Sequence, residues 1–161
     1  DSKRIGFAAR SEGRKNPRYL DGLPSYVFTN SSEFNILWKN GLKMDTRKMK
    51  TYHYKSEFKD TFYNMDWGIS HSCFNNEPFG YGIFEAVDYG KLPILHKTWC
   101  KNFHYPYRAS TKKEFGDIYT QLIDTPYEEK NKWFLSLKSY MEENFTDKDK
   151  WIDELVYIYN I

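Results

Sequence analysis

Short apolar runs alternate with helical patterns along the first two thirds of the chain, and this alternation constrains the fold more than any other feature. The runs have the length and residue types of buried strands, and polar loops or apolar residues at helical spacing follow them. They predict strands at 5–9, 26–29, 50–54, 67–70 and 92–95. Strands alternating with helices are typical of βαβ units, so we predict an α/β protein with a Rossmann-like parallel sheet flanked by helices.

Helices are predicted between the strands and again in the last third of the chain. The sequence indicates helices that begin near Asn16-Pro17 and Ser31, and helices over 56–64 and 83–89. After Ser110, apolar residues recur at helical spacing and predict a helical C-terminal tail whose stripes face the core. The stripes are Phe115, Ile118, Tyr119 and Leu122; then Trp133, Phe134, Leu137, Tyr140 and Met141; then Trp151, Ile152, Leu155, Val156 and Tyr159.

Composition excludes several classes of protein. The 161 residues favour one domain over 1–161, and 40% hydrophobic with 29% charged residues is typical of a globular chain. A formal charge of +2 gives no reason to expect nucleic-acid binding, and no apolar run is long enough for a transmembrane segment. The two cysteines, Cys73 and Cys100, favour a reducing, cytoplasmic location, and four scattered histidines predict no metal site.

A polar loop after the first predicted strand carries two cations. Arg10 and Lys15 are five residues apart in the segment 9–15. A diphosphate requires this kind of arrangement, because guanidinium can bind phosphate oxygens in pairs while lysine supplies a mobile point charge. A solvated basic loop is the alternative interpretation.

A second loop, in the segment 77–95, is more specific. Two carboxylates, Glu77 and Glu85, are separated by seven residues, and Gly80 and Gly82 lie between them. Glycines allow a ligand close to the backbone, and the N-terminal amides of the following helix can bind an anion. A glutamate one turn into that helix can accept hydrogen bonds from a ribose diol. We therefore predict that the two loops converge on one sugar nucleotide.

The segment 77–95 resembles the E-x7-E element of retaining GT-B glycosyltransferases, the group that includes glycogen and sucrose synthases. Arg10 and Lys15 match the arginine and lysine of the family's G-R-x4-K loop, although Ala9 replaces its glycine. The resemblance covers nearly the whole chain as one domain. It implies the C-terminal, donor-binding half of a two-domain enzyme, whose N-terminal acceptor domain is absent from this sequence.

The resemblance also implies roles for the candidate site residues. Arg10 and Lys15 would neutralise the donor diphosphate and its leaving group, and Glu77 would face the donor sugar near the reacting carbon. The other implied contacts are the backbone of Phe79, Gly80, Tyr81 and Gly82 for sugar and phosphate, Glu85 for the ribose, and Tyr54 and Lys55 for the base.

The implied reaction is retaining transfer of a hexose from a nucleoside-diphosphate sugar, with a UDP-sugar favoured, and without metal or other cofactor. The acceptor would be bound by the N-terminal domain, so this chain alone should bind donor without efficient transfer. Besides Ala9, two further departures from the family stand out. Lys91 is one residue more than many members carry, an insertion similar to one in phage enzymes that glucosylate DNA bases, which leaves a viral relative open. The segment His96-Lys97-Thr98-Trp99 replaces a small, glycine-rich one.

Other functions remain open on the sequence. One is another GT-B activity, such as an epimerase or phosphorylase, or a nucleotide-sugar binder without transfer. A different class is an interaction domain, favoured by aromatic residues such as Tyr105 and Tyr107, because large aromatic side chains are enriched at interfaces.

Overall fold

The computed structural model describes residues 3–9, 13–29, 49–53, 59–77 and 79–145. In this part of the chain a six-stranded sheet has the strand order β3-β2-β1-β4-β5-β6, and every neighbouring pair is parallel. The strands are β1 (Ile5–Ala8), β2 (Ser25–Thr29), β3 (Met49–His53), β4 (Ile69–Ser72), β5 (Leu92–His96) and β6 (Arg108–Ala109). The prediction of a parallel sheet is confirmed. The two-residue strand β6 was not predicted, and β4 begins at Ile69 rather than at Trp67.

Four α-helices and two short 3-10 turns are described. The helices are α1 (Lys59–Tyr63), α2 (Tyr81–Asp88), α3 (Lys112–Asp124) and α4 (Tyr127–Asn144), and the 3-10 turns are Gly13–Lys15 and Pro17–Leu20. The helix predicted from Ser31 and the apolar stripe at 151–159 lie outside the described residues. No described helix is long and apolar enough to span a bilayer.

The predicted α-helix at Asn16-Pro17 is wrong, because Asn16 is fixed to the strand β4 and the loop after it. Asn16 adopts the left-handed region with φ 54°, and its Nδ2 donates to the carbonyl of Cys73 at 2.7 Å. Its own carbonyl accepts from Nε2 of His71 at 2.8 Å. These contacts hold the chain in a turn, so Pro17 opens a single 3-10 turn instead of a regular helix.

The order of the strands places two loops side by side. Ile5 of β1 pairs with Ser25 of β2 on one side and with Ile69 of β4 on the other. The chain runs outward from β1 to β3 and then returns to β4 on the other side of β1, so the loops that leave β1 and β4 are neighbours at a topological switch point. In parallel α/β sheets a crevice for ligands lies at this place, outside the carboxyl ends of the strands.

The sheet is buried between two apolar layers, and successive residues of a strand contribute alternately to one layer and to the other. Ile5 and Phe7 lie in a large core with Phe115 and Leu122 of α3 and Leu137 of α4. This confirms that the stripes predicted for those two helices face the core. The smaller core on the β2 side consists of Tyr26, Phe28, Phe62, Tyr63, Trp67 and Ala86.

Gly6 faces the smaller core, where the indole of Trp67 takes the space of a side chain. A Cβ atom on Gly6 would lie 2.3 Å from ring carbons of Trp67, so no larger residue fits without a shift of the indole. Packing at the centre of the sheet thus requires that position 6 has no side chain, because the Trp67 indole, just before β4, fills that space.

Candidate functional site

The loop after β1 and the loop after β4 lie against each other, as predicted for a shared site. The amide of Asn75 donates to the carbonyl of Arg14 at 2.7 Å. The side chain of Asn16 reaches the carbonyl of Cys73, and His71 in β4 donates to Asn16. Three hydrogen bonds therefore fix the position of the basic turn relative to the glutamate-bearing loop.

Lys15 and Glu77 form the closest charged contact between these loops. Nζ of Lys15 lies 2.6 Å from Oε2 of Glu77, and the side chains are only 13% and 12% exposed. Nη1 of Arg14 lies 3.4 Å from the same oxygen. The Lys15 ammonium also lies over the ring of Phe74, 4.4 Å from its centroid. Arg14 and Lys15 thus both contact the same carboxylate oxygen of Glu77.

The helix α2 begins beside this pair. Gly80 precedes its first residue with φ 78°, a left-handed conformation that glycine adopts at little cost. The amides of Ile83 and Phe84 donate to the Gly80 carbonyl at 2.9 and 3.0 Å. A Cβ on Gly82 would lie 3.6 Å from Cε2 of Phe74, the ring beneath Lys15. The positive end of α2 is thus connected to the basic turn through one aromatic ring.

The helix starts two residues earlier than predicted, which changes how two site residues are presented. Tyr81 and Gly82 were expected in the loop, but they form the first turn of α2. The rings of Phe79 and Tyr81 stack at 5.8 Å between centroids, across the bend at Gly80. The free N–H groups of a helix belong to its first turn, so these positions remain suited to anion binding.

Glu85 lies one turn into α2 and faces α1. Its Oε1 accepts a hydrogen bond from Nζ of Lys59, and the hydroxyl of Tyr63 lies 3.4 Å from Oε2. The Glu85 and Lys59 side chains are 35% and 36% exposed. A carboxylate in this position can accept further hydrogen bonds from solvent or from a ligand.

The structure describes seven of the ten predicted site residues and places them in two groups. Lys15, Glu77 and the start of α2 (Phe79, Gly80, Tyr81 and Gly82) meet at the switch point, whereas Glu85 contacts α1. Arg10, Tyr54 and Lys55 lie outside the described residues. No three histidine, cysteine, aspartate or glutamate side chains in the described ranges are grouped closely enough to hold a metal ion.

Sequence reasoning missed the residues that support the site from behind. His71 is buried beneath the two loops, and burial lowers its pKa to about 4, so the ring is neutral near pH 7. Its Nδ1 accepts from the amide of Cys73 at 3.2 Å while Nε2 donates to Asn16. A single histidine in a short buried strand, between two serines, carries no sequence signal for this role.

Trp99 is the second supporting residue that the sequence did not single out for this role. A Cβ on Gly80 would lie 2.8 Å from its Nε1, so the indole packs directly on the glycine that starts α2. In the sequence, the segment 96–99 stands out only as a departure from a glycine-rich pattern. The Trp99 indole fills the space that a side chain at position 80 would need.

Fold and site together define a class: a Rossmann-like α/β domain with a basic turn, a glutamate and a helix start at its topological switch point. No protein-family model matches the chain, and no curated protein matches it in sequence. Among solved structures it is similar to the catalytic domain of cholesterol-α-glucosyltransferase from Helicobacter pylori. The TM-score is 0.57 at 13% identity, over 85% of this chain and 98% of that one. The predicted fold, a Rossmann-like sheet consistent with one half of a GT-B fold, is confirmed.

Proposed function

We propose that this chain is the donor-binding domain of a retaining GT-B glycosyltransferase and that it binds a nucleoside-diphosphate sugar at the switch point. The observation that carries the proposal is the Lys15–Glu77 pair beside the first turn of α2. A cation, a carboxylate and a helix start occur there in the order that the E-x7-E resemblance implies. The similarity in fold to the catalytic domain of a glucosyltransferase supports the same class.

The chemistry follows from where charge develops during transfer. When the bond between the sugar's anomeric carbon and the donor phosphate breaks, negative charge grows on the phosphate oxygens. Lys15, with Arg10, stabilises that charge, and the first-turn amides of Tyr81 and Gly82 add the positive end of the helix. Such preorganised charges act without reorganisation during the reaction. No step in this scheme requires a metal ion.

The remaining groups position the donor. Glu77 is released from Lys15 when the diphosphate binds and faces the sugar, where it can accept hydrogen bonds from hydroxyl groups. Glu85 accepts from the ribose diol, while Tyr54 and Lys55 contact the base, for which uracil is favoured. The proposal includes an N-terminal domain that binds the acceptor, so this chain alone binds donor without efficient transfer.

Calorimetric titration of the chain with UDP, UDP-glucose and uridine tests the proposal. UDP and UDP-glucose should bind, and they should raise Tm by mass action. Lys15→Met should weaken UDP binding by about tenfold, because a charge-assisted hydrogen bond contributes about 1.5–3 kcal/mol, and should leave uridine binding almost unchanged. The control is Lys113→Met, which removes a lysine whose side chain is 88% exposed on α3. Absence of binding by any nucleoside diphosphate in a panel of bases contradicts the proposal.

A second variant tests the ribose contact. Glu85→Ala should weaken UDP binding about tenfold but leave the weaker binding of 2′,3′-dideoxy-UDP unchanged, because only UDP offers the diol. Equal losses for the two nucleotides would show that the variant acts through its ion pair with Lys59 and the packing of α2. The Tm of the variant without ligand reports that structural effect separately.

A further inference from the structure

Lys59 contacts a proposed ribose ligand, Glu85, but the proposed function gives this lysine no role of its own. It is the first residue of α1, and its Nζ donates a hydrogen bond to Oε1 of Glu85 on α2. The helix α1 follows β3 and α2 follows β4, two strands of the same parallel sheet. Both helices therefore begin toward the carboxyl edge of the sheet, where α/β proteins bind ligands.

The Lys59–Glu85 pair lies within reach of a ribose whose diphosphate is bound at the start of α2. Tyr81 and Gly82 form the first turn of this helix, and Glu85 follows one turn later. One helical turn advances by about 5.4 Å. The ribose of a nucleoside diphosphate is joined directly to the diphosphate. With the phosphates at the first-turn amides, as proposed, the ribose comes next to the pair.

The pair has hydrogen-bonding capacity beyond its internal contact. An ammonium group has three donors, and Glu85 takes one of them. An ionised carboxylate has about four acceptor positions, of which Lys59 takes one, and the Tyr63 hydroxyl, 3.4 Å from Oε2, takes at most one more. The side chains of Lys59 and Glu85 are 36% and 35% exposed. Because their charges cancel, the pair suits a neutral ligand group that both donates and accepts hydrogen bonds.

The position of α1 does not depend on this ion pair alone. The hydroxyl of Tyr89 on the end of α2 donates to a carboxylate oxygen of Asp60, the residue after Lys59. The ring of Tyr89 also stacks on that of Tyr63, with 4.6 Å between centroids, and Tyr63 is buried in the smaller core. A partly exposed ion pair contributes little to stability, because water screens it. Lys59 can therefore be replaced while α1 stays in place.

We propose that Lys59 is a specificity-determining residue of the donor site, which recognises the ribose diol jointly with Glu85. One hydroxyl of the diol donates to Oε2 of Glu85, and the oxygen of the other accepts from Nζ of Lys59. A 2′-deoxyribose offers only one of the two hydroxyls, so the site selects ribonucleotide donors against deoxyribonucleotide donors. This inference rests on the proposed function and adds a second contact to the ribose.

Binding of deoxy analogues tests this assignment. Calorimetry compares UDP with 2′-deoxy-UDP and 3′-deoxy-UDP; if another base of the panel binds more tightly, its deoxy forms are used. With the unchanged chain, each analogue should bind about tenfold more weakly than UDP, because each loses one charge-assisted hydrogen bond. Lys59→Met should weaken UDP binding about tenfold, abolish the difference between UDP and one of the analogues, and keep the difference for the other.

Two further variants separate recognition from structure. Lys59→Arg keeps a charged donor and should keep the discrimination against both analogues. Lys112→Met is the matched control, because Lys112 is also the first residue of its helix, α3, and forms an ion pair with Asp21 at 2.7 Å. This control should leave all three affinities unchanged. The Tm of each variant without ligand reports any structural effect.

Three outcomes overturn this inference and leave the proposed function intact. Equal affinities of UDP and both analogues for the unchanged chain would show that the site does not read the diol. Equal losses for all three nucleotides in Lys59→Met would assign Lys59 a structural role. Unchanged or increased discrimination in Lys59→Met would show that the lysine only occupies Glu85. Absence of binding by every nucleoside diphosphate in the panel overturns both proposals.

Discussion

Nζ of Lys15 lies 2.6 Å from Oε2 of Glu77, and this contact joins two loops across 62 positions of sequence. Both side chains are almost buried, so water screens the pair little. Glu77 therefore occupies the lysine that we propose for the donor diphosphate. A diphosphate bound there as proposed would have to replace this contact.

Removing the charge of Glu77 should accordingly strengthen diphosphate binding to this chain. Glu77→Gln leaves the Lys15 ammonium without its carboxylate, and we expect UDP to bind about three- to tenfold more tightly in calorimetry at constant salt. Asp117→Asn is the matched control, since it removes an exposed carboxylate from a distant ion pair with Lys113. A loss of UDP affinity in Glu77→Gln would mean that the carboxylate contacts the nucleotide rather than competing with it.

Gly80 and Gly90 have the same backbone conformation but different surroundings. Substituting each of them by alanine therefore distinguishes the energetic cost of the backbone conformation from the cost of overpacking. Gly80 has φ 78° and Gly90 has φ 76°, but only a Cβ on Gly80 would collide, at 2.8 Å from Nε1 of Trp99. Gly90→Ala should lower the free energy of unfolding by about 1 kcal/mol. Gly80→Ala should lower it by about 2–4 kcal/mol, because overpacking adds about 1–3 kcal/mol. Urea denaturation measures both, and equal losses contradict the role of Trp99.

Stability should fall when the pH decreases from about 6.5 to about 4, owing to His71. Its pKa is lowered by burial from 6.5 to about 4, so the unfolded chain binds a proton in this range before the folded protein does. The contribution of His71 to the free energy of unfolding is fully present above pH 6.5 and is lost as the pH falls to about 4. The free energy of unfolding changes by about 3 kcal/mol over this range. Burial lowers the pKa of His96 as well, which adds a change of the same sign.

The measurement is urea unfolding at a series of pH values. His71→Gln should remove most of the slope between pH 6.5 and 4, although it lowers stability at pH 7 because the glutamine packs poorly among the rings that surround His71. His104→Gln is the control, because His104 is exposed on the surface. The interpretation is wrong if the slope persists unchanged in His71→Gln.

Arg108 should be irreplaceable by lysine. Its Nη1 donates to the carbonyls of His96 at 3.1 Å and of Trp99, and its Nη2 donates to those of Cys100 at 3.1 Å and Phe103 at 3.0 Å. A lysine cannot span four acceptors from one planar group. We expect Arg108→Lys to lower the free energy of unfolding by about 2–4 kcal/mol in urea denaturation. A loss below about 0.5 kcal/mol would show that solvent satisfies these carbonyls equally well.

The sequence was most informative where local patterns determine structure. Five strands and α2 were predicted because apolar runs and the position of Gly90 after the helix are local signals. The turn at Pro17 was mispredicted because tertiary contacts of Asn16 outweigh the helical preference of its neighbours. Strand β6 has no periodicity of its own and is held by pairing with β5 and by the hydrogen bonds of Arg108.

The site could be predicted only in part for a related reason. The convergence of Lys15 with Glu77 follows from the rule that ligand loops meet at the carboxyl ends of parallel strands. The direct pairing of Lys15 with Glu77, and of Glu85 with Lys59, depends on the tertiary arrangement of side chains that are distant in sequence. Contacts between residues distant in sequence, including the packing of Trp99 on Gly80, cannot be recognised from the spacing of residues along the chain.

The shortness of β6 has a consequence for solubility. An outermost strand normally exposes a row of unpaired backbone groups that can template association with another chain. Here that border consists of Arg108 and Ala109 alone, and it carries a charged residue. The strand β6 itself therefore offers very little backbone for intermolecular β-pairing, which disfavours the addition of another strand to it.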